Sequence, residues 1–262
     1  MRCIKTVAVA ALGLGLLAGP AWAQESSEAL IKKAIGLMEP RFEPALDRNC
    51  AVGLPLPVVL GKGAPTSPGK LFDNLYYVGR TDVGAWVLKT SDGLVLIDTL
   101  YSVADAENVV VGGMRKLGLD PAQLKLVILT HHHRDHSGGW TYFRDKGVRV
   151  MVSEPDWGPL GGAPDPQGIL RDGQIVTVGD TKITIVYTPG HTPGTITAVF
   201  PVFENGRRHM AALLGGVGPR GGIPEHRSGV EGMERLMQVV KSQGVDVELQ
   251  THSIFEDPIA LQ

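Results

Sequence analysis

Residues 130–136 carry an unusual concentration of metal ligands. They read Thr-His-His-His-Arg-Asp-His and directly follow the apolar run at 126–129. Imidazole nitrogen and carboxylate oxygen are common zinc ligands. Side chains two positions apart do not face each other on a helix, whereas on a loop that leaves a strand they can converge. The stretch alone could therefore serve two metals, one through His131 and His133 and the other through Asp135 and His136.

Each metal needs further ligands, and two more histidines lie where loops leave predicted strands. His191 lies in the turn Pro-Gly-His-Thr-Pro-Gly at 189–194, and His252 follows the last predicted strand. We expect both imidazoles to reach the metal site. The remaining histidines are expected to pack, to hydrogen-bond near the site or to face solvent: His132, His209 and His226.

Alternating strands and helices must position these side chains. Strands are predicted at 74–78, 85–89, 94–97, 126–129, 148–152, 174–178, 182–187, 195–202, 209–214 and 245–249. Helices are predicted at 103–117, 138–146 and 229–242. The strand at 94–97 ends in Asp98, a carboxylate at a strand terminus. This alternation predicts a layered α/β protein with a mixed sheet.

The first 23 residues have the pattern of a secretory signal peptide. Arg2 and Lys5 form a basic region, residues 7–17 are apolar, and Ala-Trp-Ala at 21–23 is a small-x-small cleavage site. The apolar region is too short to span a bilayer. We therefore expect an exported, periplasmic protein with no stable membrane insertion after cleavage.

Residues 24–70 form an N-terminal segment ahead of the strand-rich part. Apolar residues at 26–38 have helical spacing, and prolines interrupt the rest of the segment. We predict a signal peptide at 1–23, an extension packed on the domain at 24–70 and a single domain at 71–262. A domain of that length is long enough to bury a sizeable core.

Composition excludes some partners. The chain is 43% apolar and 20% charged, as in ordinary soluble proteins, and its formal net charge is −2. Because it has no basic run and no basic stripe with interleaved aromatics, nucleic acid is not an expected partner. Cys50 is the only cysteine after the signal peptide, so no internal disulfide can form. We expect a monomer that acts on a small-molecule substrate.

The motifs together resemble those of the metallo-β-lactamase superfamily. The similarity comprises Thr-His-x-His-x-Asp-His-x-Gly-Gly from Thr130, Pro-Gly-His-Thr-Pro-Gly at 189–194, the late His252 and Leu-Ile-Asp-Thr at 96–99. It extends from about residue 74 to 252. The resemblance implies a four-layer αββα sandwich of two mixed β-sheets, with the site of a hydrolase at one edge between the sheets.

The resemblance also implies a ligand set for each of two zinc ions per chain. The first set would be His131, His133 and His191. The second would be Asp135, His136 and His252. Asp135 would also have a catalytic role by orienting the attacking group, and Asp98 would orient ligands by hydrogen bonding.

One difference from most members of the superfamily indicates which subclass the chain resembles. Most hydrolases of the superfamily, including thioesterases of the glyoxalase II type, carry a bridging aspartate at the end of the strand after the 189–194 motif. Subclass B1 and B2 β-lactamases carry a cysteine there. In this chain the strand ends in Gly-Gly-Val-Gly at 215–218, which supplies neither. A site without either residue, with His136 and His252 on the second metal, resembles the subclass B3 metallo-β-lactamases.

The implied function is opening of the β-lactam ring of antibiotics by a zinc-bound hydroxide, which would confer antibiotic resistance. Two alternatives remain open. One is a hydrolase on the same scaffold that acts on a lactone, thioester or other ester, because the surrounding loops and not the fold fix the substrate. The other is a non-enzymatic metal-binding or redox protein. The redox members bind iron, whereas the imidazole-rich set favours zinc.

Overall fold

The computed structural model describes residues 63–162, 166–216, 218 and 220–252. The predicted signal peptide, the predicted helix at 26–38 and Cys50 lie outside these residues. The predicted boundary between extension and domain falls inside the first described strand, Gly69–Phe72.

Twelve strands lie within the described residues and form two mixed sheets. The first sheet has the order β1-β2-β3-β4-β5-β6-β7, and the second has the order β12-β11-β10-β9-β8. The strands of the first sheet are β1 Gly69–Phe72, β2 Leu75–Tyr77, β3 Trp86–Thr90, β4 Gly93–Ile97, β5 Leu124–Ile128, β6 Arg149–Ser153 and β7 Ile169–Leu170. Those of the second are β8 Ile175–Val178, β9 Thr181–Tyr187, β10 Ile196–Glu204, β11 Arg207–Leu214 and β12 Val247–Gln250.

Short helices accompany the first sheet and one long helix covers the second. The short ones are α1 Val103–Asp105, a π-helical turn Ala106–Val111, α2 Gly112–Lys116, α3 Arg134–Ser137, α4 Trp140–Arg144 and α5 Glu154–Trp157. Single 3-10 turns lie at Pro121–Gln123, Gly158–Leu160 and Pro166–Gly168. The long helix is α6, Ile223–Gln243. In this part of the chain no helix is both long and apolar enough to cross a membrane.

The helix predicted at 229–242 begins earlier in the structure, at Ile223. Pro224 presets the backbone of the first turn. The carboxylate of Glu225 accepts a hydrogen bond from the Gly222 backbone N–H at 2.7 Å. The prediction was wrong at this boundary because the apolar stripe that marks the helix starts only at Val230.

Three apolar clusters give the fold its four layers. The inner faces of both sheets form the first, which includes Ile97, Ile128, Ile185 and Leu213. A second cluster packs the outer face of the first sheet against its helices. A third packs the second sheet against Leu236 of α6. The predicted αββα sandwich of two mixed sheets is confirmed.

Strand direction brings the chemically active loops to one edge of the sandwich. In the first sheet β4 and β5 run parallel, with Ile97 opposite Ile128, so both end at this edge. In the second sheet β11 and β12 run parallel and end there too. The two sheets are joined at the same edge, where the Ile196 N–H donates to the Thr130 carbonyl at 3.0 Å.

Candidate metal centre

The histidine-rich stretch leaves β5 as a loop and then becomes one helical turn. His131 and His133 lie on the loop, as predicted, whereas Asp135 and His136 belong to α3. The expectation that all four lie on a loop was therefore wrong for the second pair. Asp135 and His136 are neighbours on one helical turn and are grouped with His252, whereas His131 and His133 are grouped with His191.

The first candidate ligand set is His131, His133 and His191. The His131 Nε2 lies 3.1 Å from the His133 Nδ1, which in turn lies 3.1 Å from the His191 Nε2. His131 is fully buried, and His133 is half-buried at the open side. The structure thus brings together side chains from two loops, one after β5 of the first sheet and one after β9 of the second sheet.

The second candidate set is Asp135, His136 and His252. The His136 Nε2 lies 3.2 Å from the His252 Nε2 and 3.3 Å from Asp135 Oδ2. The His252 Nε2 is 3.7 Å from the same carboxylate oxygen. In each of the two sets the ligand atoms lie within 4.8 Å of one another. All six residues that the sequence nominated as ligands therefore meet at one edge.

Hydrogen bonds fix which nitrogen of each ring faces the site. The Thr130 hydroxyl donates to Asp98, so its oxygen is left to accept from the His131 Nδ1 at 3.2 Å. The Nδ1 of His191 is 3.2 Å from the Gly218 carbonyl, and the Nδ1 of His252 is 3.1 Å from the Asp82 carbonyl. Such partners place the proton on the outer nitrogen and leave the inner lone pair for a metal.

Asp98 occupies the orienting position that the sequence predicted. Its carboxylate is fully buried, accepts from the Thr130 N–H at 2.8 Å and lies 2.8 Å from the His136 Nδ1. Its backbone has a φ of 63°, in the left-handed region that a non-glycine residue occupies at a cost. That turn directs the carboxylate inward from the end of β4, toward both ligand-bearing elements.

The buried imidazoles of the site are poor bases, with one exception. Burial and then the charge of Arg220 lower the pKa of His191 to about 3, and burial and then His136 lower that of His252 to about 4. Burial lowers the pKa of His131 well below its ordinary value. Burial also disfavours charge on His136, but Asp98 and Asp135 outweigh it and raise its pKa to about 9.

This arrangement fits metal ions. His131, His133 and His191, whose pKa values are all lowered, present neutral lone pairs to one shared point, which is unfavourable unless a cation lies between them. Asp135 adds negative charge, because hydrogen bonding to His136 outweighs burial and lowers the pKa of its carboxyl. Neutral imidazole with one carboxylate is a donor set that zinc prefers.

The other histidines lie outside both sets. His209 pairs with Asp246, 2.7 Å from its Oδ2, and His226 is exposed on α6. The His132 ring packs edge-on against the His133 ring, with 4.9 Å between the ring centroids, and its Nδ1 lies 3.1 Å from Asp156 Oδ2 without hydrogen-bond geometry. These positions match the packing and solvent-facing roles expected of them.

The sequence did not indicate two residues that support the ligands. Asp82 acts through its backbone carbonyl, so no side-chain pattern could have revealed it. Asp156 at α5 is fully buried and contacts the loops of both His131 and His191. The signal that could have found it is an acidic residue shortly after the buried strand β6.

The strand end that lacks a bridging carboxylate is also too crowded for one. A Cβ atom on Gly215 would lie 2.1 Å from the Ile196 carbonyl oxygen. A Cβ atom on Gly216 would lie 2.8 Å from the Cβ of His191. Because both residues are glycine, the backbone that follows β11 can pass close to His191. No side chain at these two positions reaches between the ligand sets.

Two such ligand sets at the strand ends of an αββα sandwich are typical of one class of proteins, the metallo-hydrolases of this fold. Comparison with protein families places the chain within that class. Residues 78–201 match the family model of the metallo-beta-lactamase superfamily, and the chain carries a domain of that superfamily.

Solved structures with the same fold are subclass B3 metallo-β-lactamases. BJP-1 of Bradyrhizobium japonicum is 28% identical, with a TM-score of 0.64 over 75% of this chain and 81% of that one. Native FEZ-1 of Legionella gormanii is 25% identical, with a TM-score of 0.62 over 73% of this chain and 81% of that one.

Curated proteins that are similar in sequence include a lactonase and a hydroxyacylglutathione hydrolase. The N-acyl homoserine lactonase AttM of Agrobacterium fabrum is 32% identical over 116 residues, which cover 38% of this chain and 44% of the relative. A hydroxyacylglutathione hydrolase of Acidiphilium cryptum is 30% identical over 117 residues, 44% of each protein. The chain thus spans less than half of the length of these relatives.

Proposed function

We propose that this protein is a zinc-dependent β-lactamase of the subclass B3 type. The observation that carries the proposal is the second ligand set, in which Asp135, His136 and His252 converge without a bridging carboxylate. Crowding at Gly215 and Gly216 leaves no room for such a bridge. The B3 structural neighbours, one of which is described as a di-zinc enzyme, support the same assignment.

Two zinc ions held by these sets would lower the pKa of a coordinated water toward about 7 and polarise a carbonyl oxygen. The chain's own residues do the positioning. His131 and His191 are held rigid by burial and by their outer hydrogen bonds. Asp135 is exposed enough at the edge to orient the attacking water with its second oxygen. Half-buried His133 marks the side from which substrate enters.

A cation beside the first ligand set supports an anionic substrate. Arg220 is exposed, and its backbone N–H donates to the Gly190 carbonyl at 2.7 Å. After burial and His132, its charge is the next cause that lowers the pKa of His133. A β-lactam carries a carboxylate beside the scissile amide, and Arg220 would attract it.

The second candidate function is hydrolysis of a lactone or thioester. The sequence relatives favour it, since they include a lactonase and a hydroxyacylglutathione hydrolase. With the same ligands, the same coordinated water would attack the carbonyl of a lactone or a thioester as it would that of a β-lactam. The geometry of the metal site does not separate these substrates, so the choice depends on the loops around it.

A substrate panel tests the proposal. The purified protein is assayed with a penicillin, a cephalosporin, a carbapenem, an acyl homoserine lactone and a thioester, each with and without a chelator, and its metal content is measured. We expect chelator-sensitive β-lactam turnover by a colourless zinc protein. Turnover of the lactone or thioester with none of the β-lactams would replace the first function by the second, and bound iron would favour a redox protein.

We also propose that the protein acts in the periplasm, where β-lactams reach their targets. The basic, apolar and small-residue regions at 1–23 support export. Fractionation of a Gram-negative host that expresses the full chain, with N-terminal sequencing, tests this. Mature protein that begins at Gln24 in the periplasmic fraction is expected, and uncleaved protein in the cytoplasm would contradict it.

A further inference from the structure

A buried carboxylate links the two loops that carry the first ligand set. Asp156 lies in α5, three residues after the end of β6, and is fully buried. Its Oδ2 accepts from the backbone N–H of His132 at 2.8 Å and from the hydroxyl of Thr192 at 2.8 Å. Its Oδ1 accepts from the Gly194 N–H at 3.0 Å.

These contacts have a particular position relative to the ligands. His132 lies between His131 and His133 in the chain, and Thr192 follows His191 directly. One carboxylate therefore accepts hydrogen bonds from two loops. One is the backbone between His131 and His133, after a strand of the first sheet, and the other is the residue that follows His191, after a strand of the second sheet. We propose that Asp156 is a positioning residue that sets the distance between the His131–His133 loop and His191. The inference rests on the metal site of the proposed function.

The site requires a carboxylate rather than another polar group. All three of the bonds to Asp156 come from donors, and an ionised carboxylate is the side chain that only accepts. An asparagine of the same size would turn an NH2 group toward one of these donors. Because the site is buried, the donor that lost its acceptor would stay unpaired, and the loops would move apart to relieve it.

A second contact from the same segment holds the His191 loop. The Ser153 hydroxyl donates to the Gly194 carbonyl at 2.5 Å, so Gly194 is held at its carbonyl by Ser153 and at its N–H by Asp156. A Cβ atom on Gly194 would lie 2.1 Å from the Ser153 Oγ and 2.6 Å from Asp156 Oδ1. The close fit shows that the loop is seated on this segment.

The contacts of Asp156 predict an effect on one metal and not the other. In the described residues Asp156 contacts the loops of His131, His133 and His191, whereas His136 and His252 are oriented by Asp98 and by the Asp82 carbonyl. Outer partners of metal ligands typically affect metal affinity by about tenfold to a hundredfold. Loss of Asp156 should weaken the first metal by that factor and leave the second unchanged.

The experiment measures metal binding rather than catalysis. Zinc affinity at each site is determined by competition with a chromophoric chelator, and the visible spectrum of the cobalt(II) protein is recorded. The variants are Asp156→Asn and the milder Thr192→Val, which removes the hydroxyl contact with Asp156 together with the one to the Thr195 hydroxyl. His191→Ala supplies the reference spectrum of a protein with only the second metal.

The matched control is Asp246→Asn. Asp246 also accepts from a backbone N–H and lies beside an imidazole, through Met210 and His209, but it lies before β12, at the opposite end of that strand from His252. We expect Asp156→Asn to bind the first metal tenfold to a hundredfold more weakly, with a cobalt spectrum like that of His191→Ala. Thr192→Val should show a smaller shift in the same direction, and the control none.

Two results would overturn the inference. One is wild-type affinity at both sites in Asp156→Asn. The other is an equal loss at both sites in Asp156→Asn and in Thr192→Val, which would indicate general destabilisation. Because no β-lactam enters the measurement, failure of the substrate assignment is recognised separately, in the hydrolysis panel. A wild-type protein that binds no zinc would overturn both proposals and would be apparent before any variant is made.

Discussion

At the scale of single residues, the site depends on hydrogen-bond partners as much as on ligands. Asp98 accepts from the Thr130 N–H and from the His136 ring, and thereby ties a loop of the first ligand set to a member of the second. It also holds the Thr130 hydroxyl, which faces His131. One carboxylate thus acts on both metal positions, whereas Asp156 acts on one.

Asp98→Asn should therefore reduce activity without removing a ligand. The amide would turn an NH2 group toward either Thr130 or His136, and rotation of a ligand ring typically costs about 10–100-fold in metal affinity or activity. The measurement is kcat/KM on whichever panel substrate is turned over, together with zinc content. Asp180→Asn, an exposed aspartate near β9, is the control, and equal activity of the two variants would contradict the role.

His191→Ala should remove one zinc per chain. His191 completes the first set, and the two remaining histidines of that set supply too few ligands to hold the ion. We expect one zinc in place of two, with activity near the background of the assay. His209→Ala should keep both ions, because His209 pairs with Asp246 away from the site. Two ions retained in His191→Ala would contradict the assignment of this ligand.

Arg220→Ala should raise KM more than it lowers kcat for substrates with a carboxylate. The guanidinium attracts the anion but is not expected to contact the reacting carbonyl, so its loss weakens binding of ground state and transition state alike. Steady-state kinetics on a cephalosporin and on an uncharged lactone provide the comparison. A KM change of the same size on the lactone would argue against recognition of the carboxylate.

At the scale of elements, the crowded end of β11 shapes the site. Gly215 lies against the Ile196 carbonyl and the Thr130 side chain. Gly215→Ala should destabilise the protein by about 1–3 kcal/mol, the usual cost of overpacking. Urea unfolding measures this, and Gly158→Ala is the control because nothing lies within 4 Å of its added Cβ atom. Equal stability of both variants would show that β11 can shift freely.

Elements also show how far the sequence predicts this molecule. Ligand residues were recognisable because reactive side chains followed apolar strands, and strand ends meet at a sheet edge. The start of α6 was missed because its first turns are exposed and carry no apolar stripe. Asp82 and Asp156 were missed for a different reason. A backbone carbonyl leaves no mark in the sequence, and an acidic residue after β6 does not by itself reveal its donors, which are distant in the chain.

At the scale of the whole molecule, metal removal should lower thermal stability. Ions that bind only the folded state stabilise it by about 2.7 kcal/mol when free metal exceeds Kd a hundredfold. For a domain of this size, about 2.7 kcal/mol at each site corresponds to a fall in Tm of about 5–10 °C for each of the two ions that chelation removes. Calorimetry with and without chelator measures it, and restoration of Tm by added zinc is the control. An unchanged Tm would mean that the sites bind no metal.

The origin of the six ligands has a consequence for how the chain is connected. His133 and His191 are separated by 58 residues, and His136 and His252 by 116. A bound ion at each set would therefore close a long loop of chain, as a disulfide does, and would join the two sheets at the edge where the Ile196 N–H already bonds the Thr130 carbonyl. Since the part of the chain that the structure describes contains no cysteine, the bound ions would serve as its long-range cross-links.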